Sequence, residues 1–350
     1  MNSKLTMRAH QISKAVILLA GAVASTIALS TSGQAQISTP ANKPANTQAN
    51  PPARTPVPMA TFQAPGFYRM MLGGFEVTVL SDGTATRHVD EIMSKPEEVR
   101  AAYAHSHEEL PVELSINTYL INTGSKLVLV DTGAGELFGG GSSNRLVGNL
   151  RAAGYQPEQV DAVLLTHIHG DHSGGLSIGG KRVFPNADVY VDQKDASYWL
   201  SQAQADAAPA AKQLTFTQSR ATVNPYADAG RLKTFNGAQE LFPGISSVPA
   251  YGHTPGHTAY LIASQGKQLL LWGDLIHAGN AQFKNPAITI AYDFDAAAAV
   301  KSREYLLQLA ASKGYLVGSA HISFPGLGHI GGSSAGYEWI TAPYQLKGTF

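Results

Sequence analysis

The densest chemistry in the sequence is the run Thr166-His167-Ile168-His169-Gly170-Asp171-His172. In extended chain, residues two apart point to the same side, so His167 and His169 can grip one ion together. Gly170 lets the backbone turn, after which Asp171 and His172 can face a second position. Four donors within six residues exceed anything solvation requires. A cluster of this kind after a buried strand points to a metal site rather than to ordinary surface histidines. Three further donor positions end apolar runs. One is a histidine of Gly252-His253-Thr254-Pro255-Gly256-His257-Thr258, another is Asp274 after Leu269–Trp272 and Gly273, and the third is His321 after Leu316–Ala320. Spacing alone leaves His253 and His257 both open. The chain has no cysteine, which excludes disulfides and thiolate ligands, so nitrogen and oxygen must hold any metal. Such donors suit zinc first, and also manganese, cobalt or iron. Two divalent ions about 3.5–4 Å apart can bridge a water, lower its pKa from 15.7 toward ~7, and polarise a carbonyl or phosphoryl oxygen. No nucleophilic Ser or Cys is then needed.

These donors require strands that end at one place. Phe75–Leu80, Asn117–Asn122 and Lys126–Asp131 read as strands. Leu127-Val128-Leu129-Val130 is a continuous apolar run that leaves its sheet at Asp131-Thr132-Gly133. Val163-Leu164-Leu165 runs straight into the histidine cluster. Strands are also expected at Asp188–Val191, Ala259–Ile262, Gln268–Trp272 and Tyr315–Ala320, the last ending at His321. Leu146, Val147 and Leu150 have helical spacing within Asn144–Ala153. A second helix is expected over Ala296–Ser312, with Leu306, Leu307, Leu309 and Ala310 inward. Strands interleaved with helices predict sheets covered by helices. His105 and His107 lie in a charged helical stretch and read as surface residues, while His88 and His329 read either as supports behind the donors or as merely structural. The glycines at 139–141 read as a loop, since no Gly-Lys-Ser/Thr follows to make a phosphate cradle.

The apolar content of 44% is that of a globular protein with a large core. Formal net charge is zero, and no run of Lys or Arg exceeds two, so nucleic acid and anionic membrane surfaces are excluded as partners. Lys4, Arg8 and Lys14 precede an apolar run from Ala15 to Leu29, with Gly33 and Ala35 at the −3 and −1 positions of a cleavage site. Residues 1–35 therefore read as a secretory signal peptide, with an uncleaved membrane anchor as the alternative; cleavage implies a secreted, periplasmic protein with no stable membrane insertion afterwards. Residues 36–65, rich in Pro, Ala and Asn, read as a disordered linker, and 66–350 as one folded domain.

The order His-x-His-x-Asp-His, Gly-His-Thr-Pro-Gly-His, Gly-Asp and a late His resembles that of the metallo-β-lactamase superfamily. Gly66–Gly83, Asn122–Gly133, Gly154–Val160, Thr254–Tyr260 and His321–Ile330 resemble its methyl parathion hydrolase branch. That resemblance implies an α/β fold, an αββα sandwich of two mixed sheets flanked by helices, with the site at one edge. It places His167, His169 and His253 on one metal, Asp171, His172 and His321 on the other, and Asp274 as the bridge. Asp171 and Asp274 are then the catalytic carboxylates, and His257 is a packing residue or one that supports the donors from behind. It also implies a homodimer, and it assigns Phe138, Trp199 and Phe216 to an apolar substrate pocket.

The branch contains organophosphate triesterases and lactonases that act on aromatic lactones such as dihydrocoumarin. His277 stands where the triesterases carry leucine, Ile290 and Tyr292 replace a threonine and a leucine, and Ile92 aligns with an arginine. The lactonases are more similar at His277 and Ile290. The expected function is a binuclear hydrolase in which a metal-bridged hydroxide attacks the carbonyl of a small apolar lactone or aryl ester. The alternatives are an organophosphate triesterase and a non-catalytic periplasmic metal-binding protein. A β-lactamase would need a pocket for the lactam carboxylate, and an oxidoreductase of this fold would need a flavin-binding region. Neither is found in the sequence.

Overall fold

In the computed structural model, residues 56–345 are described, apart from 140, 334 and 335. The signal peptide expected over 1–35 and residues 36–55 of the expected linker lie outside them. The chain divides into two units, Met1–Ala60 and Thr61–Phe350. Of the first, residues 56–60 are exposed and carry no helix or strand.

Two seven-stranded sheets make up the second unit. The first opens with a meander of long strands: β1 (Phe67–Leu72), β2 (Phe75–Arg87), β3 (Val112–Asn122) and β4 (Leu127–Val130), each antiparallel to its neighbour. It continues in parallel through β5 (Ala162–Leu164). A small hairpin, β6 (Ser177–Ile178) with β7 (Lys181–Arg182), stands apart from both sheets. The first sheet then resumes with β8 (Asp188–Asp192) and ends at β9 (Leu232–Phe235). The second sheet runs in order through β10 (Glu240–Phe242), β11 (Ile245–Pro249), β12 (Thr258–Ser264), β13 (Lys267–Leu271), β14 (Leu316–Gly318), β15 (Leu327–Ser333) and β16 (Gly336–Thr341). Only β13 and β14 pair in parallel there. Both sheets are therefore mixed.

The burial pattern explains the layering. Val77, Val79, Ile121, Val128, Val130 and Leu164 of the first sheet pack against Tyr260, Ile262, Leu269 and Leu271 of the second, forming the central core. The alternate residues of the first sheet, Leu80, Leu120, Leu129, Val163 and Val189, face outward onto the helices Leu146–Ala152, Gln193–Trp199 and Ala210–Ala227. Leu270 and Val317 of the second sheet face the helix Ala296–Lys313, which packs through Leu306, Leu307 and Ala310. That helix begins where Asp295 caps the Ala298 amide and stops at Gly314 in the left-handed region. The αββα sandwich expected from the sequence is the fold observed.

Two expectations about elements are corrected. Tyr315–Ala320 is not the last strand, because β15 and β16 follow it. Both strands contain glycines, whose lack of side chains hides the period-2 signal. A Cβ on Gly328 would come within 2.6 Å of the Trp339 ring, so the glycine is there to admit the indole. The 18-residue helix Ala210–Ala227 was also missed. Its buried residues, Phe216, Ser219, Thr222, Val223 and Tyr226, include two polar ones, which weakens its apolar stripe.

Candidate metal centre

Each donor leaves the end of a strand. The His167–His172 run follows β5, His253 follows β11, Asp274 follows β13 and His321 follows β14. Asp274 needs Gly273 before it, with φ +55, where a Cβ would stand 2.7 Å from His257 Nε2 and 2.8 Å from Thr166. The structure therefore brings together all seven residues expected to bind metal.

They form two half-sites. In one, the donor atoms of His167, His169, His253 and Asp274 all lie within 4.8 Å of one another; in the other, those of Asp171, His172 and His321 do. Asp274 faces both. Its Oδ2 is 3.2 Å from His253 Nε2 and 3.7 Å from His167 Nε2, while its Oδ1 is 2.9 Å from His172 Nε2 and 3.0 Å from His321 Nε2. His169 Nδ1 lies 3.1 Å from His253 Nε2, and Asp171 Oδ2 lies 3.6 Å from His321 Nε2. Ligands about 2.0–2.1 Å from a tetrahedral ion stand roughly 3.3 Å apart, so these spacings fit a divalent cation in each half.

Satisfaction of the polar atoms carries the same message. His167 Nε2, His172 Nε2 and Asp274 Oδ1 are buried and make no hydrogen bond. Leaving a buried polar atom unpaired costs about 1–3 kcal/mol, so His167 Nε2 in the first half-site, and His172 Nε2 with Asp274 Oδ1 in the second, call for a cation in each. His172 Nε2 and Asp274 Oδ1 are close but misaligned for bonding to each other, as two donors aimed at one point would be. The far nitrogens of His172, His253 and His321 are held. His172 Nδ1 bonds Asp131 Oδ2 at 2.9 Å, His253 Nδ1 bonds Asp293 Oδ1 at 2.9 Å, and His321 Nδ1 bonds the Ser115 carbonyl at 2.8 Å. Such outer bonds orient each ring so that its inner nitrogen would be the one to bind a cation, once it has given up its proton. Asp131, at φ +60, also accepts from the amide and hydroxyl of Thr166, both at 2.8 Å, and His167 Nδ1 lies 3.1 Å from that hydroxyl.

Sequence reasoning treated Asp131 as a turn residue, though it ends an apolar strand just as the predicted donors do. Asp293 gave no local signal, since it lies in a loop and acts at long range.

Charge follows from this crowding. Burial, then the neighbouring imidazoles, holds His167 and His169 well below the usual histidine range. Burial alone would raise Asp274, but the histidines around it win and hold it well below the carboxylate range. Burial also acts to lower His253, yet its bonds to Asp274 and Asp293 push it up to about 9.

His257, left open by spacing, has both ring nitrogens engaged. Nδ1 donates to the Ala250 carbonyl at 2.9 Å, and Nε2 accepts from the Asp274 amide at 3.0 Å. It has no nitrogen left for a metal; it props the backbone that carries Asp274. Burial brings its pKa down to about 3, against about 6.5 unfolded. Between those values the unfolded chain binds the extra proton. The stability from neutral His257 is therefore complete above about pH 6.5 and is lost as pH falls toward about 3. We expect His257→Ala to keep its metal, to lose about 1–3 kcal/mol through the unpaired amide, and to flatten the acid limb of stability against pH. Denaturant unfolding between pH 4 and 8 checks this, and loss of bound metal would refute it.

A cleft of about 450 Å³ opens over the donors, lined by Phe138, Trp199, His277, Ile290, Tyr292 and Ile92 among others. Trp199 stands edge-on to His169 with ring centroids 5.1 Å apart. Phe216, expected in this wall, is fully buried behind Trp199 instead; it supports the wall without lining it. His277 Nε2 lies 3.0 Å from Asp274 Oδ2, and its ring stacks on His321 at 5.4 Å. His105 and His107 are exposed, as expected. Among the described residues, no helix is long and apolar enough to cross a membrane.

Comparison with known proteins gives a consistent picture. The model of the Metallo-beta-lactamase superfamily matches residues 111–321. A crystal structure described as hydrolase AbOPH in beta lactamase superfamily is 34% identical, with TM-score 0.77, covering 81% of this chain and 100% of that one. AidC, a dizinc quorum-quenching lactonase solved with a product, is 26% identical with TM-score 0.74, covering 80% of this chain and 99% of its own. An N-acyl homoserine lactonase from Bacillus sp is 27% identical over 172 residues, 44% of this chain. The match spans 60% of that relative's length.

Proposed function

The chain belongs to the metallo-β-lactamase superfamily, and from that premise we propose that it is a secreted, periplasmic metal-dependent hydrolase that opens lactones or cleaves aryl esters. The observation that carries this reading is the bridged double half-site at the floor of an apolar cleft. The lactonases among its relatives support it.

Two divalent ions would supply an acidified water and a positive centre for the carbonyl oxygen. The chain's own residues do the rest. Asp274 offers one oxygen to each half-site. The Nε2–H of His277 donates to Asp274 Oδ2, which holds the carboxylate in that bridging pose. Phe138, Trp199, Ile92 and Ile290 present apolar surface on which a flat ring can lie with its carbonyl toward the donors. Ile290, nearly fully buried, and His277 narrow the wall nearest Asp274. A planar ester fits such a wall better than a tetrahedral triester with three substituents.

Side-by-side kcat/KM for dihydrocoumarin and methyl parathion, on protein of known metal content, is the test. We expect the lactone to be preferred at least about tenfold, a difference of only about 1.4 kcal/mol. His277→Leu should narrow that ratio. A preference for methyl parathion would make the protein a phosphotriesterase instead.

A further inference from the structure

Beyond the donors themselves, we propose that Asp195 is the positioning residue that sets the metal affinity of the three-histidine half-site. Asp195 is completely buried in the short helix Gln193–Trp199. Its two oxygens go to different loops. Oδ2 accepts from the Ile168 amide at 2.9 Å, and Oδ1 accepts from the Gly256 amide at 2.7 Å. Ile168 lies between His167 and His169, and Gly256 follows His253 by three residues. One carboxylate thus spans the two loops that must bring three imidazoles onto one ion.

The rest of the helix has the same purpose. Gly256 packs so closely on it that a Cβ would stand 2.6 Å from the Asp195 amide nitrogen, which explains a glycine at that place in Gly252–His257. Trp199, one turn on, stands against the His169 ring. Asp192 caps the helix through the Lys194 amide and accepts from the Tyr251 hydroxyl at 3.0 Å, two residues before His253. No residue in these contacts is a donor of the other half-site, so the effect is confined to one metal.

Both Asp195 oxygens must accept. Asparagine can satisfy only one amide and turns an NH₂ toward the other, and alanine satisfies neither. Residues that hold ligands in this way typically change metal affinity by 10–100-fold when replaced.

The experiment is stepwise zinc binding to metal-free protein in competition with a chelating dye, on wild type, Asp195→Asn, Asp195→Ala and Asp195→Glu. Each is repeated in a His169→Ala background, with circular dichroism to confirm folding. The expected result is a loss of about 10–100-fold in one of two equivalents, with the other unchanged, and no added loss in His169→Ala, where that half-site is already broken. Asp195→Glu, which keeps the charge but moves it by one methylene, should show the same selective loss. Wild-type affinity in the variants would overturn the proposal. Equal weakening of both equivalents, a further loss in His169→Ala, or failure of all three variants to fold would also overturn it, by assigning Asp195 to the fold at large. The proposal rests on the three histidines being metal donors. Wild-type protein that bound no zinc would remove that premise, a result separate from any of these.

Discussion

His169→Ala should lower kcat/KM by roughly 10³-fold or more and reduce bound metal from about two equivalents per chain toward one. The imidazole it removes stands 3.1 Å from His253 Nε2 and closes a set of four donors with His167 and Asp274. Water can replace the lost nitrogen, but it cannot reproduce a fixed, neutral donor held in place by Trp199. A divalent ion supplies several kcal/mol of stabilisation to developing charge, and about 4 kcal/mol corresponds to three powers of ten in rate. His169 belongs to one half-site only, and the second keeps Asp171, His172, His321 and one oxygen of Asp274, so its metal should remain. Elemental analysis with kinetics on the same preparation checks both parts. Two equivalents at wild-type affinity would show that His169 is not a donor. His257→Ala is the matched control, because it removes an imidazole from the same floor while both half-sites keep their donors.

Most of the candidate donor set was legible in the sequence because it is built from local patterns: a strand, a turn and polar residues at the strand's end. Strand alternation and apolar runs located the strands that carry the site for the same reason. What escaped was held at long range. Spacing could not separate His253 from His257, since both are buried and four residues apart; the difference lies in which backbone groups meet their nitrogens. Asp293 and Asp195 were invisible because their partners lie 40 residues away for Asp293, and 27 and 61 for Asp195. Phe216 was assigned to the cleft, but one aromatic behind another has the same sequence signature as one in front.

Arg303 is the sharpest case of what composition conceals, and its replacement should have the largest effect on stability. The helix Ala296–Lys313 was expected to turn Leu306, Leu307 and Ala310 inward, and it does. Arg303 lies one turn before them on the same face and is 1% exposed, where a charged residue is rarely found unpaired. Among the described residues, no carboxylate pairs with it within 4 Å. Its guanidinium instead donates to the carbonyls of Leu275 at 2.7 Å, Pro286 at 2.6 Å and Ile288 at 2.9 Å. Burial accordingly lowers its pKa from the usual arginine value. Those carbonyls belong to the segment that leaves Asp274, carries His277 and reaches Ile290, so one side chain pins the cleft wall to the helix. Arg303→Ala removes charge-assisted bonds worth more than neutral ones and leaves buried carbonyls bare, for an expected loss of about 3–5 kcal/mol. Arg303→Lys should recover only part of that, because a single ammonium cannot serve three carbonyls in the plane of a guanidinium fork. Urea unfolding measures the loss, and a change below about 1 kcal/mol would refute the account. At temperatures where the variant remains folded, KM should rise before metal content falls, since the wall loosens while the histidines of the His167–His172 run stay in place.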